Sequence, residues 1–157
     1  MFIYKKEIKS INDNEKHVYV VRTVSLYKSI FNKMKNRLVR SKKGECTISG
    51  LANKSDPDYL STEFTSSLTI SIDEEYQGEG YSKKMWSFMI KNIERECPEI
   101  NNEKMFFIDG DGSDGYWDHI GCKINRYGYD YLGLRELEGK GYEKSITLCK
   151  LKGFCKK

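Results

Sequence analysis

The sequence predicts an α/β or α+β fold, a sheet with few helices, and three observations carry that reading. Residues 66 to 108 run strand, glycine-bearing loop, helix, strand, and that order in roughly 45 residues makes a βαβ unit with parallel strands. The segments around this unit read mostly as further strands separated by turn residues. The length of 157 residues and mass of 18.3 kDa fit a single domain over 1–157,.

Taken in order, Phe2, Tyr4 and Ile8 alternate weakly and suggest a first strand,. The β-branched run His17 to Val24 reads as a second, joined through the turn-prone Asn12-Asp13-Asn14,. From Ser25 the period changes. Leu26, Ile30, Met34 and Leu38 recur every four residues with Tyr27 and Phe31 beside them, which predicts an amphipathic helix ending near Arg40. Gly44 follows, Glu45 to Leu51 reads as a strand, and Asn53 to Pro57 is turn-rich. In SSLTISID, Leu68, Ile70 and Ile72 share one face while Thr69, Ser71 and Asp73 share the other, the mark of a strand,. After the loop EEYQGEGYS, Met85, Met89 and Ile93 form an i, i+4 row with Trp86 and Ile90 alongside, until Pro98 stops the helix,. Met105 to Ile108 is a continuous apolar tetrad, expected of a strand buried on both faces,. DGDGSDG reads as a loop and YWDHIG as a short helical segment. Cys122 to Tyr127 and Ser145 to Leu151 look like two closing strands, with Gly128, Gly133, Gly139 and Gly141 marking loops between them.

Composition narrows the function classes. Leu, Ile, Val and Phe make up about 23% of the chain, enough for a core, and a net charge of +4 does not force disorder,. No window approaches the ~18 consecutive apolar residues of a membrane span. The mixed, charged opening MFIYKKEIKS does not read as a secretory signal, and the terminal FCKK places its Cys one position too late for a prenylation box,. The expectation is a cytoplasmic protein with no membrane partner. Cys46, Cys97, Cys122, Cys149 and Cys155 form no CxxC pair, and His17 and His119 lie far apart, which argues against zinc and for free thiols in a reducing compartment,. Residues 28 to 43 carry seven bases (Lys28, Lys33, Lys35, Arg37, Arg40, Lys42, Lys43) and no acid. Such a run suits either a polyanion-binding patch or the solvated face of the helix, and the solvated face is the expected reading.

The segment Gln77-Gly78-Glu79-Gly80-Tyr81-Ser82 lies between a strand and a helix N-terminus. Glycines there let the backbone turn tightly, and the helix adds unpaired N–H groups and the positive end of its dipole. The combination suits a phosphate or pyrophosphate. A P-loop is excluded because Gly80 is followed by Tyr81-Ser82 rather than Lys-Ser/Thr, and a dinucleotide fingerprint because only two glycines are present and the unit is mid-chain,. Asp109, Asp111, Ser113 and Asp114 do not make a calcium loop, since the sixth and twelfth positions hold Asp114 and Ile120,. His119 is expected on the surface.

At these residues the sequence resembles the GCN5-related N-acetyltransferases. That family's coenzyme A signature is Gln or Arg, two residues, Gly, one residue, then Gly or Ala; here Gln77, Gly80 and Ser82 take those places within ISIDEEYQGEGYSKKM. Ser82 departs from Gly or Ala but is small. The next landmark, a buried strand, a loop and a short Tyr-x-x-x-Gly-Phe helix, is matched in shape by MFFIDGDGSDGYWDHIGC, with Gly121 in the Gly place. The resemblance covers roughly residues 62 to 127 and implies the family's fold, a mixed, mostly antiparallel sheet with a central splayed parallel strand pair and flanking helices. It implies acetyl-CoA (coenzyme A) as cofactor, its pyrophosphate on the amides of Gly78, Glu79, Gly80, Tyr81, Ser82 and Lys83 with Gln77. Main-chain groups at Ile70, Ser71 and Ile72 would hold the pantetheine arm like an added strand, and a backbone N–H there would polarise the thioester carbonyl. The resemblance further implies that an amine would attack directly, with no covalent enzyme intermediate.

Departures fall where the chemistry should be. The Tyr that often protonates the leaving thiolate is replaced by Trp117, a very poor proton donor, so the adjacent Tyr116 is the candidate acid,. Some members carry a strand Glu as base near the position of Ser66; here Glu63 is the nearest carboxylate, while Glu75 and Asp73 could act through water, and a water chain without a dedicated base fits equally,. The expected activity is transfer of an acetyl or similar acyl group to a small-molecule amine or a protein amine. Nucleic acid is not the expected partner, and the oligomeric state stays open, a homodimer included. The alternatives are a non-catalytic acyl-CoA-binding module and a nucleic-acid-associated modifier using a basic helix over 25–43.

Overall fold

A computed structural model describes residues 1–10, 18–50, 66–108, 114–124 and 144–156. The turns expected at Asn12–Asn14 and Asn53–Pro57, Glu63, the loop residues Asp109 to Ser113 and the four glycines from 128 to 141 lie outside the described residues.

Strands β1 (Phe2–Ser10), β2 (Val18–Asn32), β3 (Arg37–Ser49), β4 (Ser66–Ile72), β5 (Met105–Ile108), β6 (Lys123–Ile124) and β7 (Lys144–Thr147) form one sheet in the order β1-β2-β3-β4-β5-β7-β6. Neighbours are antiparallel except β4 and β5, which run parallel with Ser66 opposite Phe106 and Leu68 opposite Ile108. Helix α1 (Tyr81–Glu96) is the crossover of that parallel pair; α2 (Asp114–Ile120) follows β5, and α3 (Leu148–Lys156) follows β7. The fold is therefore mixed α+β, with the parallel pair in the middle of the sheet.

Side chains alternate across the pleat, so one face of the central strands can be apolar. Val20, Val24 and Leu26 of β2, Cys46 and Ile48 of β3 and Leu68 of β4 are buried, and most join one cluster with Met85, Trp86, Met89, Ile90 and Ile93 of α1. The opposite face carries Thr23 and Thr47, whose hydroxyls lie 3.5 Å apart. Slipping β2 by one residue would exchange these faces, so burial of the apolar set fixes the register. Arg22, fully buried on the apolar face, donates through Nε to Glu96 Oε2 at 2.9 Å, and Tyr4 donates to Glu96 Oε1 at 2.8 Å. These bonds clamp the last turn of α1 to β1 and β2. Among the described residues no helix is long and apolar enough to cross a membrane.

Two expectations are corrected. Residues 25–43 are not a basic amphipathic helix: β2 continues to Asn32, four turn residues follow, and β3 starts at Arg37. Leu26, Ile30, Met34 and Leu38 fall on two strands and a turn, so their spacing of four marks no common face. The turn has its own chemistry. The Asn32 side chain accepts the Lys35 N–H at 3.0 Å, and Asn36 takes the left-handed conformation at φ 48° that Asn tolerates better than most residues,. The second correction concerns Ser145 to Leu151, where the strand ends at Thr147 and α3 begins. Thr147 Oγ1 accepts the Lys150 N–H at 3.3 Å as an N-cap, and Leu148, Leu151 and Phe154 are buried,. Of the strand expected from Cys122 to Tyr127, Lys123 and Ile124 are described as β6.

Candidate functional site

The site forms where β4 outruns its parallel partner. Among the described residues the β4–β5 ladder ends at Leu68 opposite Ile108, while β4 stays paired with β3 as far as Ile72. Asp73 N–H donates to Lys43 O at 2.9 Å. Antiparallel pairs alternate in where their backbone groups point, so Asp73, Ser71 and Thr69 bond toward β3. Ile70 and Ile72 then turn their N–H and C=O groups the other way, toward the β5 side, beyond the last described β4–β5 pair. Gln77 closes one of these positions, its Nε2 donating to Ile72 O at 2.8 Å.

A 3₁₀ turn, Glu74–Tyr76, carries the chain from β4 to α1. Gly78 and Gly80 follow at φ 77° and 82°, a region that glycine enters without steric cost,. A Cβ built on either glycine would meet no protein atom within 4 Å, so both backbones face open space. Gly80 is the N-cap of α1, with no side-chain cap bond and no acidic residue in the first turn. Lys84 N–H reaches back to Gly80 O at 3.3 Å. The amides ahead of it, those of Tyr81 and Ser82 among them, lie at the positive end of a 16-residue helix,.

These pieces line one cavity of about 770 Å³. Ile70, Ser71 and Ile72 form one wall and Gln77, Gly78, Gly80, Tyr81, Ser82 and Lys83 the floor, with Tyr76 beside them; Tyr116, His119 and Phe154 close the far side. Trp86 Nε1 donates to the Tyr116 hydroxyl at 2.9 Å. Burial pushes the Tyr116 phenol above its ordinary pKa, against the opposing hydrogen bonds of Ser82 and Trp86. The proton therefore stays on the oxygen through neutral pH. Trp117, at the place of the expected Tyr, is 3% exposed and packs edge-on against Tyr116, with ring centroids 5.0 Å apart.

The structure thus brings Ile70, Ser71, Ile72, Gln77, Gly78, Gly80, Tyr81, Ser82, Lys83 and Tyr116 to one cavity. Glu79 is exposed and outside its lining. Glu75 is exposed too, paired with Lys43 at 3.3 Å, and shares a shallow surface dip with Asp73 and Glu74. Lys28 and Lys43 lie 5.4 and 5.7 Å from the Tyr76 ring centroid, which places cations beside the cavity. Cys46 and Cys155 offer no ready nucleophile: burial raises the Cys46 thiol, and raises Cys155 to about 11 although Lys83 opposes it. Among the described residues no group of three His, Cys, Asp or Glu is placed to hold a metal. Sequence reasoning missed Tyr76, His119 and Phe154 as lining residues. Phe154 reaches the cavity only because its segment is helical, and Lys83 lies 5.7 Å from its ring centroid.

No family model matches the chain, and no curated protein does. Among solved structures it is similar to a T. thermophilus protein provisionally assigned as an acetyltransferase, at 10% identity and TM-score 0.42 over 88% of this chain and 63% of that one. It is also similar to the ribosomal-protein-S5-alanine acetyltransferase of Vibrio fischeri, at 12% identity and TM-score 0.41 over 82% and 61%. A third, yncA of Salmonella typhimurium, provisionally an acetyltransferase and solved with its cofactor acetyl-CoA, shows 14% identity and TM-score 0.38 over 83% and 65%. The chain spans less than two thirds of the length of each of these three.

Proposed function

We propose that this chain is an N-acyltransferase of the GCN5-related kind, moving an acetyl or similar acyl group from an acyl-CoA thioester to a primary amine. One juxtaposition supports the reading: an uncapped, glycine-opened helix N-terminus, a strand edge facing away from its sheet partner, and a protonated phenol all line one cavity. The residues fit the cofactor. Gly78 and Gly80 leave room for a diphosphate to approach the backbone, and the first-turn amides with Lys83 supply donors and positive charge,. Ile70 and Ile72 present backbone groups that can pair with an extended amide-bearing arm.

When bound, acyl-CoA supplies an activated acyl thioester. Tyr116 accepts a hydrogen bond from Trp86 and keeps its own hydrogen, so it can protonate a departing thiolate. With Asp73 and Glu75 tied to Lys43 outside the cavity wall, the proton of the attacking amine passes to water. A second reading, an acyl-CoA-binding module without turnover, draws on the burial of Trp117 where a catalytic Tyr would be expected.

Mass spectrometry of the purified protein for retained acyl-CoA, then thiol release from acetyl-CoA with a panel of amines, tests both readings. Retention with turnover is expected; retention without turnover favours the module, and no retention removes both. Gly80→Val should weaken acyl-CoA binding several-fold or more. Gly80→Ala carries the same left-handed strain of about 1–2 kcal/mol with a smaller side chain, so comparing the two separates steric filling from backbone effects. Tyr116→Phe should slow turnover by about 100-fold, the lower range for general acids, and leave cofactor affinity unchanged. Because the phenol is raised, the Tyr116-dependent part of the rate should persist through neutral pH and fall only at strongly alkaline pH.

A further inference from the structure

Beyond Leu26 and Gly44 the β2–β3 hairpin has no further strand beside it among the described residues. β1 accompanies β2 only to Leu26, with one further backbone exchange between Met1 and Tyr27, and β4 accompanies β3 only to Gly44 and the Lys43 carbonyl. Among the described residues, the strands from Lys28 to Ser41 pair only with each other. The pairs from Tyr27–Lys42 to Asn32–Arg37 make a two-stranded ribbon about 20 Å long,.

Residues 27 to 42 contain six bases and no acid, and all six are exposed. Lys42 bonds Glu45 and Lys28 lies over Tyr76, both at the root. Lys33, Lys35, Arg37 and Arg40 occupy the outer half. Large apolar side chains stand among them: Phe31 is 53% exposed, Leu38 69% and Met34, in the turn, 98%.

The distribution over the two faces selects the partner. Pleating puts Lys28, Ile30 and Asn32 with Arg37 and Val39 on one face, and Phe31 with Leu38, Arg40 and Lys42 on the other,. A membrane-surface element separates a basic face from an apolar one, whereas here each face mixes both. A second copy of the ribbon would set like charges against each other. An element inside a nucleic-acid groove has phosphates on both sides and bases to touch, so it needs cations on both faces and apolar groups between them. The major groove of B-form DNA, about 12 Å wide, admits a two-stranded ribbon and offers thymine methyl groups to apolar side chains. The major groove of A-form RNA is too narrow for side chains to read. The geometry points to this ribbon as an arm that docks on double-stranded DNA, with Lys33, Lys35, Arg37 and Arg40 against phosphates and the Met34 turn at the groove floor. The inference stands independently of acyl transfer.

Fluorescence anisotropy of the full chain with a labelled, mixed-sequence DNA duplex tests it, read as affinity against salt. Each neutralised phosphate contributes about −0.9 to the slope of log K on log salt, so four contacts give a slope of about −3 to −4. Arg37→Gln with Arg40→Gln should lower affinity at least tenfold at low salt and flatten the slope by about 2, while thermal unfolding and acyl-CoA retention stay as in the parent. Lys33→Gln with Lys35→Gln, in the solvated turn, repeats the test if the first pair disturbs folding. Any of the following overturns the proposal: no binding to the duplex at low salt, a slope unchanged in both variants, or tighter binding to an RNA duplex of the same length. Preferential capture by phosphatidylserine vesicles, or a dimer in sedimentation that the variants abolish, does so too.

Discussion

The inner and outer halves of the β2–β3 hairpin share one hydrogen-bond ladder and almost nothing else. Inside the sheet, Val24, Cys46 and Ile48 have no solvent-exposed surface and lie in the core cluster with α1. Outside it, Phe31 faces Leu38 across the strands with more than half of each exposed. Burying one aliphatic side chain contributes about 1.5–3 kcal/mol, while an exposed cross-strand pair contributes about 0.2–1 kcal/mol. Backbone pairing therefore extends well past the region that holds the fold together. The outer half rides on the inner half, and its composition is free to serve a surface role.

The inner half is most readily broken where α1 is clamped to β1 and β2. Glu96 accepts from Arg22 and Tyr4 and lies 3.8 Å from the Lys6 ammonium, and Arg22 is fully buried. Glu96→Ala removes a carboxylate partner of that guanidinium; the Glu96 side chain keeps 24% of its surface exposed, so the cost should fall at or below the lower end of the about 3–5 kcal/mol of a fully buried pair. Urea unfolding should show it as a large drop in midpoint with little change in slope. A loss below about 1 kcal/mol would mean that apolar packing alone secures the inner half.

Tyr4→Phe is the milder cut at the same clamp. The hydroxyl is partly buried and bonded to a carboxylate, so its loss should cost about 1–2 kcal/mol,. Its pH dependence has a definite sign. Burial first, then the hydrogen bond and charge of Glu96, raise the folded-state pKa above the ordinary 10.0. The contribution is therefore complete below about pH 10 and is lost as pH climbs through the raised value. The stability gap between the parent and Tyr4→Phe should narrow above pH 10. A gap independent of pH would remove the phenol from the clamp.

The same contrast explains which elements were legible in the sequence and which were hidden. Leu68, Ile70 and Ile72 repeat every two residues, and Met85, Met89 and Ile93 every four, because each element buries one continuous face and burial writes its period into the sequence. The outer hairpin buries no face, so nothing disciplines its pattern; Ile30, Met34 and Leu38 could imitate a helix while standing on two strands and a turn. Asn32 and Asn36 were the local signals of that turn. Helix α3 was hidden for another reason: nine residues containing Gly153 follow directly on the β-branched Ile146 and Thr147. The cavity floor was legible because its glycines need a special backbone conformation, which leaves a mark at Gly78 and Gly80. Its far side was not. His119 and Phe154 come from segments distant in sequence, and no local pattern announces that two helices meet over α1.

Leu38→Ser gives the smallest expected effect and the sharpest reading of the outer half. Leu38 is 69% exposed and faces Phe31 across the ribbon, so removing it forfeits a cross-strand contact and leaves no cavity in the core. Surface substitutions of this kind fall within about 0.5 kcal/mol, and urea unfolding should place the variant there at every protein concentration. A loss above about 1 kcal/mol that grows with protein concentration would show a second copy covering this face in solution. A comparable loss independent of concentration would show packing against the ribbon within the chain itself. In either case the outer half would belong to the folded core's energetics, and the division between a packed root and a solvated arm would be misplaced.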